Sequence, residues 1–339
     1  MTQIVIQRGA LKTLPKHAKR LGAACAIITD KNVAGIARRM VTSLEQAGMQ
    51  THLITLPSGE KMKALHVVEK ICGTLVRKSL RRDAVIIGIG GGVVDDLAGF
   101  VASIYMRGVP YISVPTSVLA MADGSIGGKN GVNLKEGKNL VGTFTQPDVV
   151  LMDPEVLKSL PQRVFIEGLA EIVKHAVIAD EKLLRLFERD YKKILARDAD
   201  LVTKILKRSV AIKLSISDED VRESIATKND TTSRMFLNYG HSIGHALEKL
   251  SNYTMLHGEA VSIGMVEENK IAVERGLLKE EEAERIQAVL KKLKLPTEIP
   301  ANYKQRDIRR TMMRDKKVVS GKLILALPNG IGQATLETL

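Results

Sequence analysis

The sequence predicts an α/β domain built on a parallel sheet over residues 1–153, followed by a mainly α-helical domain over 154–339. Three observations carry that expectation. Strand and helix signals alternate through the first half, strand signals almost vanish beyond residue 153, and 339 residues suffice for two domains that each bury a core.

Taken in order, residues 24–29 (ACAIIT) form a short apolar run of strand length. Val33, Ile36, Ala37, Met40, Val41 and Leu44 then recur at helical spacing before Gly48, so a helix is expected over 33–47. The pattern repeats as strand 51–56, helix 61–79, strand 83–89, helix 93–105 and strand 111–114. Such alternation means parallel strands joined by crossover helices that cover both faces of the sheet. Beyond it, helical periodicity marks 164–179, 181–190, 197–216, 241–251, 258–276, 279–294 and 305–314, and the apolar run Lys322–Pro328 reads as a late strand.

Composition excludes several functions. Hydrophobic residues make up 45% and charged residues 26%, as in ordinary globular proteins. No apolar run reaches about eighteen residues and the N-terminus lacks the regions of a signal peptide, so a cytoplasmic protein without a membrane partner is expected. Cys25 and Cys72 sit apart in apolar stretches and read as core thiols. A net charge of +13 raises the question of nucleic acid, but the basic pairs are scattered along amphipathic segments, aromatics are 3% and Trp is absent. Little is available to stack on bases, which favours a pocket for a small polyanion over an RNA surface.

Two constellations carry chemistry. His241, His245 and His257 lie close together in a chain with seven histidines. If a helix begins near His241, the first two rings stack at i and i+4, and His257 can reach back from the start of a second apolar helix. Imidazole and carboxylate suit a borderline divalent metal, and Glu171, in the apolar helical run 168–175 with Lys174 and His175 one turn later, is the candidate carboxylate. Taken alone, the H-x-x-x-H pair is more often hydrogen-bonded histidines at a helix start, and it is the third histidine and the nearby glycines that favour a metal. The second constellation is the third strand signal running into Gly90, Gly91 and Gly92 before a helix, where backbone can approach a phosphate closely. It lacks the G-x-G-x-x-G spacing, and a plain tight turn is its alternative. Asp30 is placed for a ribose and Asn32 for a nucleobase, while Thr116, Ser117, Asp123, Lys129, Lys138 and Asn139 gather polar groups at loop positions.

The motifs PSGEKMK (57–63), GGGVVDDLAG (90–99), YMRG (105–108), PTS (115–117), IGGK (126–129), GLAEIVK (168–174), the histidine cluster and RDKK (314–317), in this order, closely resemble the 3-dehydroquinate synthase family, within the superfamily that also holds glycerol and iron-dependent alcohol dehydrogenases. The resemblance implies a Rossmann-like NAD-binding domain and a helical metal- and substrate-binding domain. NAD contacts are implied for Asp30, Asn32, Glu60, Lys63, Gly90, Gly91, Gly92, Asp96, Thr116 and Ser117, joined by Lys129 and Lys138. Zn2+ or Co2+ would be held by Glu171, His241 and His257, so that His245 faces substrate, which replaces the i, i+4 reading. Substrate contacts are implied for Asp123, Lys129, Asn139, Lys174, Lys213, Arg234, Asn238, His245 and Lys316, with Arg107 reaching in from a neighbouring subunit of a homodimer. The implied reaction converts 3-deoxy-D-arabino-heptulosonate 7-phosphate to 3-dehydroquinate by transient oxidation, phosphate elimination, reduction and aldol closure. Other sugar phosphate cyclases and polyol dehydrogenases on the same scaffold are the rivals. The chain departs from the family pattern at Asp95, where glycine is usual, at Ser117 and Ser242 in place of threonines, at Ala122 and Gly124, and in a longer segment between Asp218 and Arg234.

Overall fold

The computed structural model describes residues 2–219, 233–313, 318–319 and 322–338, in two compact units, Met1–Leu160 and Pro161–Leu339. The turn Pro154–Ser159 belongs to the first of them.

Unit 1 contains β1 (Gln3–Ile6), α1 (Leu14–Leu21), β2 (Ala24–Asp30), α2 (Ala34–Gln46), β3 (Gln50–Leu56), α3 (Leu65–Arg77), β4 (Ala84–Gly90), α4 (Gly92–Ile104), β5 (Tyr111–Pro115), β6 (Lys129–Val132), β7 (Val141–Phe144) and β8 (Val149–Met152). Six strands form a parallel sheet in the order β1-β8-β5-β4-β2-β3, and β6 and β7 pair as a separate antiparallel ribbon. Because side chains alternate across a strand, Cys25 and Ile27 of β2 join Val85, Ile87 and Ile89 of β4 in one core, with α1 and α2. Ala26, Ile28, Ala84 and Ile86 enter the other, with α3 and α4. Both faces are covered, as an all-parallel sheet requires. The strand order reverses between β2 and β4, so the crevice for a ligand lies at their carboxyl ends, where Asp30 and Gly90 stand.

The expected alternation is present, with additions. β1 and β8 escaped the sequence reading because each is only four residues long, so the glycine turn follows the fourth strand. The helix expected over 61–79 is a separate turn, Glu60–Met62, and then α3. Its break has a tertiary cause: Ala64 is extended and bridges Asn133, whose N–H donates to the Lys63 carbonyl at 2.9 Å.

Unit 2 contains α5 (Gln162–Ala179), α6 (Glu181–Leu195), α7 (Ala199–Glu219), α8 (His241–Leu250), α9 (His257–Glu274), α10 (Glu280–Lys292), α11 (Gln305–Met312), β9 (Val318–Val319), β10 (Lys322–Pro328) and β11 (Ala334–Thr338). The late strand is therefore the centre of a small antiparallel sheet, β11-β10-β9. Helix α5 is buried on every side from Phe165 to Ile178, which marks a central helix. Its Glu167, Glu171, Lys174 and His175 are buried with it and need partners. Among the described residues no helix is long and apolar enough to cross a membrane.

Candidate active site

In unit 1 the groups expected to meet NAD gather at the carboxyl ends of the parallel strands. The Thr29 hydroxyl donates to the Ile89 carbonyl at 2.8 Å, tying the end of β2 to that of β4. Asp30 accepts from the Asn32 N–H at 2.7 Å and the Ser58 hydroxyl at 3.4 Å. The Thr116 N–H donates to the Gly90 carbonyl at 2.8 Å, which sets Thr116 and Ser117 beside the glycine turn. The three glycines differ in role. A Cβ on Gly90 would meet the Val94 side chain at 2.5–2.9 Å, so that residue is small for packing. At Gly91 the nearest atom would be Ser117 Oγ at 3.6 Å, and at Gly92 nothing lies within 4 Å. Gly91 and Gly92 thus keep an open cradle at the N-terminus of α4, where N–H groups and the helix dipole favour a pyrophosphate.

A polar network lies beside this cradle. Lys63, nearly buried, pairs with Asp96 and donates to Asn139 Oδ1 at 2.5 Å. The Asn139 N–H donates to Asn133 Oδ1 at 3.0 Å, Asn133 Nδ2 donates to Glu60 at 2.8 Å, and Lys138 stands 3.8 Å from Glu60. Asn139, expected at the substrate, is bonded to Lys63 in this structure. Asn133, which the sequence reading did not name, connects the two halves of the network. Burial pushes the Asp96 carboxyl up to about 6, against the lowering effect of Lys63. A raised acid binds its proton more readily in the folded than in the unfolded chain, so Asp96 contributes stability at low pH that is lost as pH rises through about 6. The stability gap between wild type and Asp96→Asn is expected to move in favour of wild type as pH falls from 7.5 to 4.5, by about 1.4 kcal/mol per unit of pKa shift. A gap from paired thermal melts that does not change with pH would contradict it.

Asp95 is buried and accepts from the Tyr111 hydroxyl at 2.7 Å and from the Ser113 hydroxyl, so two hydroxyls from β5 make its charge tolerable in the core. Arg107 is exposed on a turn where Met106 (φ 50°) and Arg107 itself (φ 68°) are left-handed without being glycine. The Tyr105 hydroxyl anchors that turn on the Leu80 carbonyl at 2.7 Å. Asp123 sits in the single wide helical turn Ala120–Gly124, and Lys129 opens β6 at the surface.

In unit 2 the metal candidates converge. Glu171 Oε1 lies 3.5 Å from His241 Nε2 and 3.3 Å from His257 Nε2, and among the described residues it accepts no hydrogen bond. Two ligands each 2.0–2.1 Å from a tetrahedral zinc stand about 3.3–3.4 Å apart, so these spacings are those of ligands around one ion. Both imidazoles present the right nitrogen. The Tyr239 carbonyl lies 3.0 Å from His241 Nδ1 and the Glu248 carboxylate 3.1 Å from His257 Nδ1. Each of these oxygens can only accept, so Nδ1 carries the proton and Nε2 is left to bind. The other oxygen of Glu171 pairs with buried Lys174. Burial would push the Glu171 carboxyl up, but Lys174 and the two imidazoles outweigh it and hold it well below the usual carboxylate range. Burial, and then the charge of Lys174, holds His241 well below the usual imidazole value. For His257 burial also acts downward, but the neighbouring carboxylates of Glu171 and Glu248 prevail and hold it well above the usual imidazole value. The residues fit a divalent metal.

The backbone here leaves room only for glycine at Gly240, Gly258 and Gly264, where a Cβ on Gly264 would fall 1.9 Å from the Gly240 carbonyl oxygen. Gly240 (φ 77°) precedes His241, and a Cβ there would meet Met265 Cγ at 2.7 Å and the Val261 carbonyl at 2.9 Å. Its N–H donates to buried Glu268 at 2.6 Å. At Gly258 a Cβ would fall 1.8 Å from the Glu167 carbonyl oxygen, and the Gly258 N–H donates to the Glu167 carboxylate at 3.0 Å. One turn earlier on α5, Arg163 grips Glu259 through two bonds of 2.6 and 2.8 Å. Arg163, Glu167 and Glu171, spaced by four on one helix face, thus engage Glu259, Gly258 and His257 in turn. Glu167 and Glu248 gave no sign in the sequence beyond polar residues on helices.

His245 lies on the α8 face of His241, its ring centroid 5.3 Å from that of His241 and 5.9 Å from that of His257. Its ring thus lies beside those of the two candidate ligands. Arg234 and Asn238 bound the turn just before α8; Arg234 is buried, as is Lys213 on α7. His175 bonds Ser209 at 2.7 Å and serves the packing of α5 on α7. Lys316 and most of the longer segment before Arg234 lie outside the described residues.

Profiles described as 3-dehydroquinate synthase N-terminal and C-terminal match residues 53–167 and 168–318. The 3-dehydroquinate synthase of Thermodesulfovibrio yellowstonii is 40% identical over 339 residues, covering 99% of this chain and 92% of its own. Among solved structures, ValA, a 2-epi-5-epi-valiolone synthase from Streptomyces hygroscopicus subsp. jinggangensis 5008 with NAD+ and Zn2+ bound, gives a TM-score of 0.88 at 29% identity, over 98% of this chain and 91% of that one. A 2-deoxy-scyllo-inosose synthase complexed with carbaglucose-6-phosphate, NAD+ and Co2+ gives 0.89 at 25% identity, over 99% and 93%.

Proposed function

The chain belongs to the 3-dehydroquinate synthase family, and from that premise we propose that it converts 3-deoxy-D-arabino-heptulosonate 7-phosphate to 3-dehydroquinate and phosphate, using NAD and one divalent metal. The observation that carries the reading is the convergence of Glu171 Oε1 with the Nε2 atoms of His241 and His257, in a unit that also buries Lys174, Lys213 and Arg234. When bound, NAD supplies a reversible hydride acceptor and the metal a Lewis acid for the substrate hydroxyls.

The chain's own groups divide the remaining work. Gly91, Gly92 and the first turn of α4 would receive the pyrophosphate of NAD, with Asp30 at the ribose. Thr116, Ser117 and the network of Glu60, Lys63, Asp96 and Lys138 complete that side, and Asn139, bonded to Lys63, is assigned to the substrate. Lys174 holds Glu171 ionised and fixes one of its oxygens, so the other keeps its direction. Lys213, Arg234 and Lys316 are assigned to the carboxylate and phosphate of the substrate, and Asp123, Lys129, Asn238 and His245 to its polar groups. These cations, with His245, stabilise charge on the departing phosphate, whose own oxygen is basic enough to take the neighbouring C–H proton. The same reading makes the active form a homodimer, with Arg107 serving the neighbouring protomer. Phosphorylated substrate and cofactor do not cross membranes unaided, so the enzyme is assigned to the cytoplasm, where they are made.

A related cyclase acting on an uncarboxylated sugar phosphate is the closest rival. Arg234 and Lys213 are both buried and are assigned to the substrate's anionic groups, and a substrate without a carboxylate forgoes a charge-assisted hydrogen bond worth roughly 1.5–3 kcal/mol. The kcat/KM for the heptulosonate phosphate is therefore expected to exceed those for glucose 6-phosphate and sedoheptulose 7-phosphate by about 10-fold or more. Equal values for either sugar phosphate would move the assignment to that rival.

A further inference from the structure

Beyond the three ligands, we infer that Glu248 is a positioning residue that orients the His257 imidazole for metal binding. The inference rests on the metal reading above. His257 is the first residue of α9, where a helix has no preceding turn to hold a side chain, and a quarter of its side chain remains exposed. Its backbone is fixed through the neighbouring Gly258 N–H on Glu167, but that bond leaves the ring free to turn. Among the described residues, the ring faces Glu171, itself a ligand, the imidazoles of His241 and His245, and Glu248.

Glu248 is suited to the task by position. Counted along α8, His241, His245 and Glu248 fall at i, i+4 and i+7, which places them on one face. The carboxylate is buried at the end of that row and its Oε2 lies 3.1 Å from His257 Nδ1. A carboxylate behind a ligating imidazole fixes ring rotation, selects the Nδ1–H tautomer and makes Nε2 a better donor. The two histidine ligands are then held by different means. His241 leans on the neutral carbonyl of Tyr239, two residues away in the same turn, whereas His257 depends on a charged group from another helix. Helix α8 thereby carries one ligand directly and orients the second from its far end. The same geometry contains a competing arrangement, because His245, Glu248 and His257 also have ligand atoms within 4.8 Å of one another. In that arrangement Glu248 would be a ligand itself.

The test is Co2+ affinity of the full-length protein, measured by competition with a chromogenic chelator, together with the visible Co2+ spectrum. Proteins to compare are wild type, Glu248→Ala, Glu248→Gln and His257→Ala, with the circular dichroism of each metal-free protein checked for fold. The expected result is a 10–100-fold loss of affinity in Glu248→Ala with a tetrahedral spectrum retained, and partial recovery in Glu248→Gln, whose amide oxygen can still accept from Nδ1. Unchanged affinity in Glu248→Ala would overturn the inference. Loss of the metal from Glu248→Ala as complete as from His257→Ala, or a changed spectrum in Glu248→Gln, would also overturn it by making Glu248 a ligand. Unaltered metal binding in His257→Ala would instead overturn the metal reading on which the inference stands, so the two failures are distinct.

Discussion

Glu171→Ala is expected to purify without metal and without measurable activity, the largest effect of any single substitution in this chain. The carboxylate has two duties that no neighbour can assume. Oε1 points between the Nε2 atoms of two imidazoles, and Oε2 neutralises a lysine that is 1% exposed. Removing it takes away an anionic ligand and strands a buried cation, and breaking a buried pair costs about 3–5 kcal/mol in stability. Loss of the Lewis acid removes several kcal/mol of transition-state stabilisation, which is on the order of 10³-fold or more in rate. Glu171→Gln separates the two effects, since it keeps the shape while giving up the charge that both Lys174 and a metal require. His241→Ala and His257→Ala are expected to lose metal as well, without the same loss of stability, since each ring has a hydrogen-bond acceptor but no buried lysine depends on it. Full zinc content in purified Glu171→Ala or His241→Ala would refute the ligand assignment.

Gly92→Ala is expected to fold at least as well as wild type and yet to bind NAD poorly. A Cβ at this position meets nothing within 4 Å, and the position opens α4 with a backbone angle that any residue can adopt. Alanine is favoured over glycine in a helix by about 1 kcal/mol, so stability should hold or rise. The same Cβ occupies the cradle that the pyrophosphate needs. Losing one or two charge-assisted bonds to the phosphate weakens binding by about 1.5–3 kcal/mol each, and Gly91→Val should do at least as much harm. Gly90→Ala behaves differently in this account, because its Cβ would strike Val94 and the damage would appear in the melting temperature. Calorimetry showing wild-type NAD affinity in Gly92→Ala and Gly91→Val would remove the cofactor from this turn.

What could be read from the sequence, and what could not, follows the range of each signal. The alternating core of β2, α2, β3, α3, β4 and α4 was legible because its periodicity is local and buried on both faces. Four-residue strands such as β1 and β8 carry too few residues to show a period and are defined only by pairing with each other and with β5. The break before α3 was hidden for a related reason, since it depends on a bridge from Ala64 to Asn133, far along the chain. Glu171, His241 and His257 could be named from residue type and motif. That Glu171 divides its two oxygens between a lysine and the imidazoles could not. Glu167, Glu248 and Asn133 share that difficulty: each acts across 73 residues, 91 residues or a helix junction on a partner that local pattern does not reveal.

The central claim is that the metal-loaded protein uses NAD as a catalyst that is restored in each turnover, and counting products tests it most directly. Metal-loaded protein with NAD and 3-deoxy-D-arabino-heptulosonate 7-phosphate is expected to release phosphate and form 3-dehydroquinate in equal amounts, with no net rise in NADH absorbance. NADH accumulating in step with substrate consumption, or no phosphate released, would contradict it.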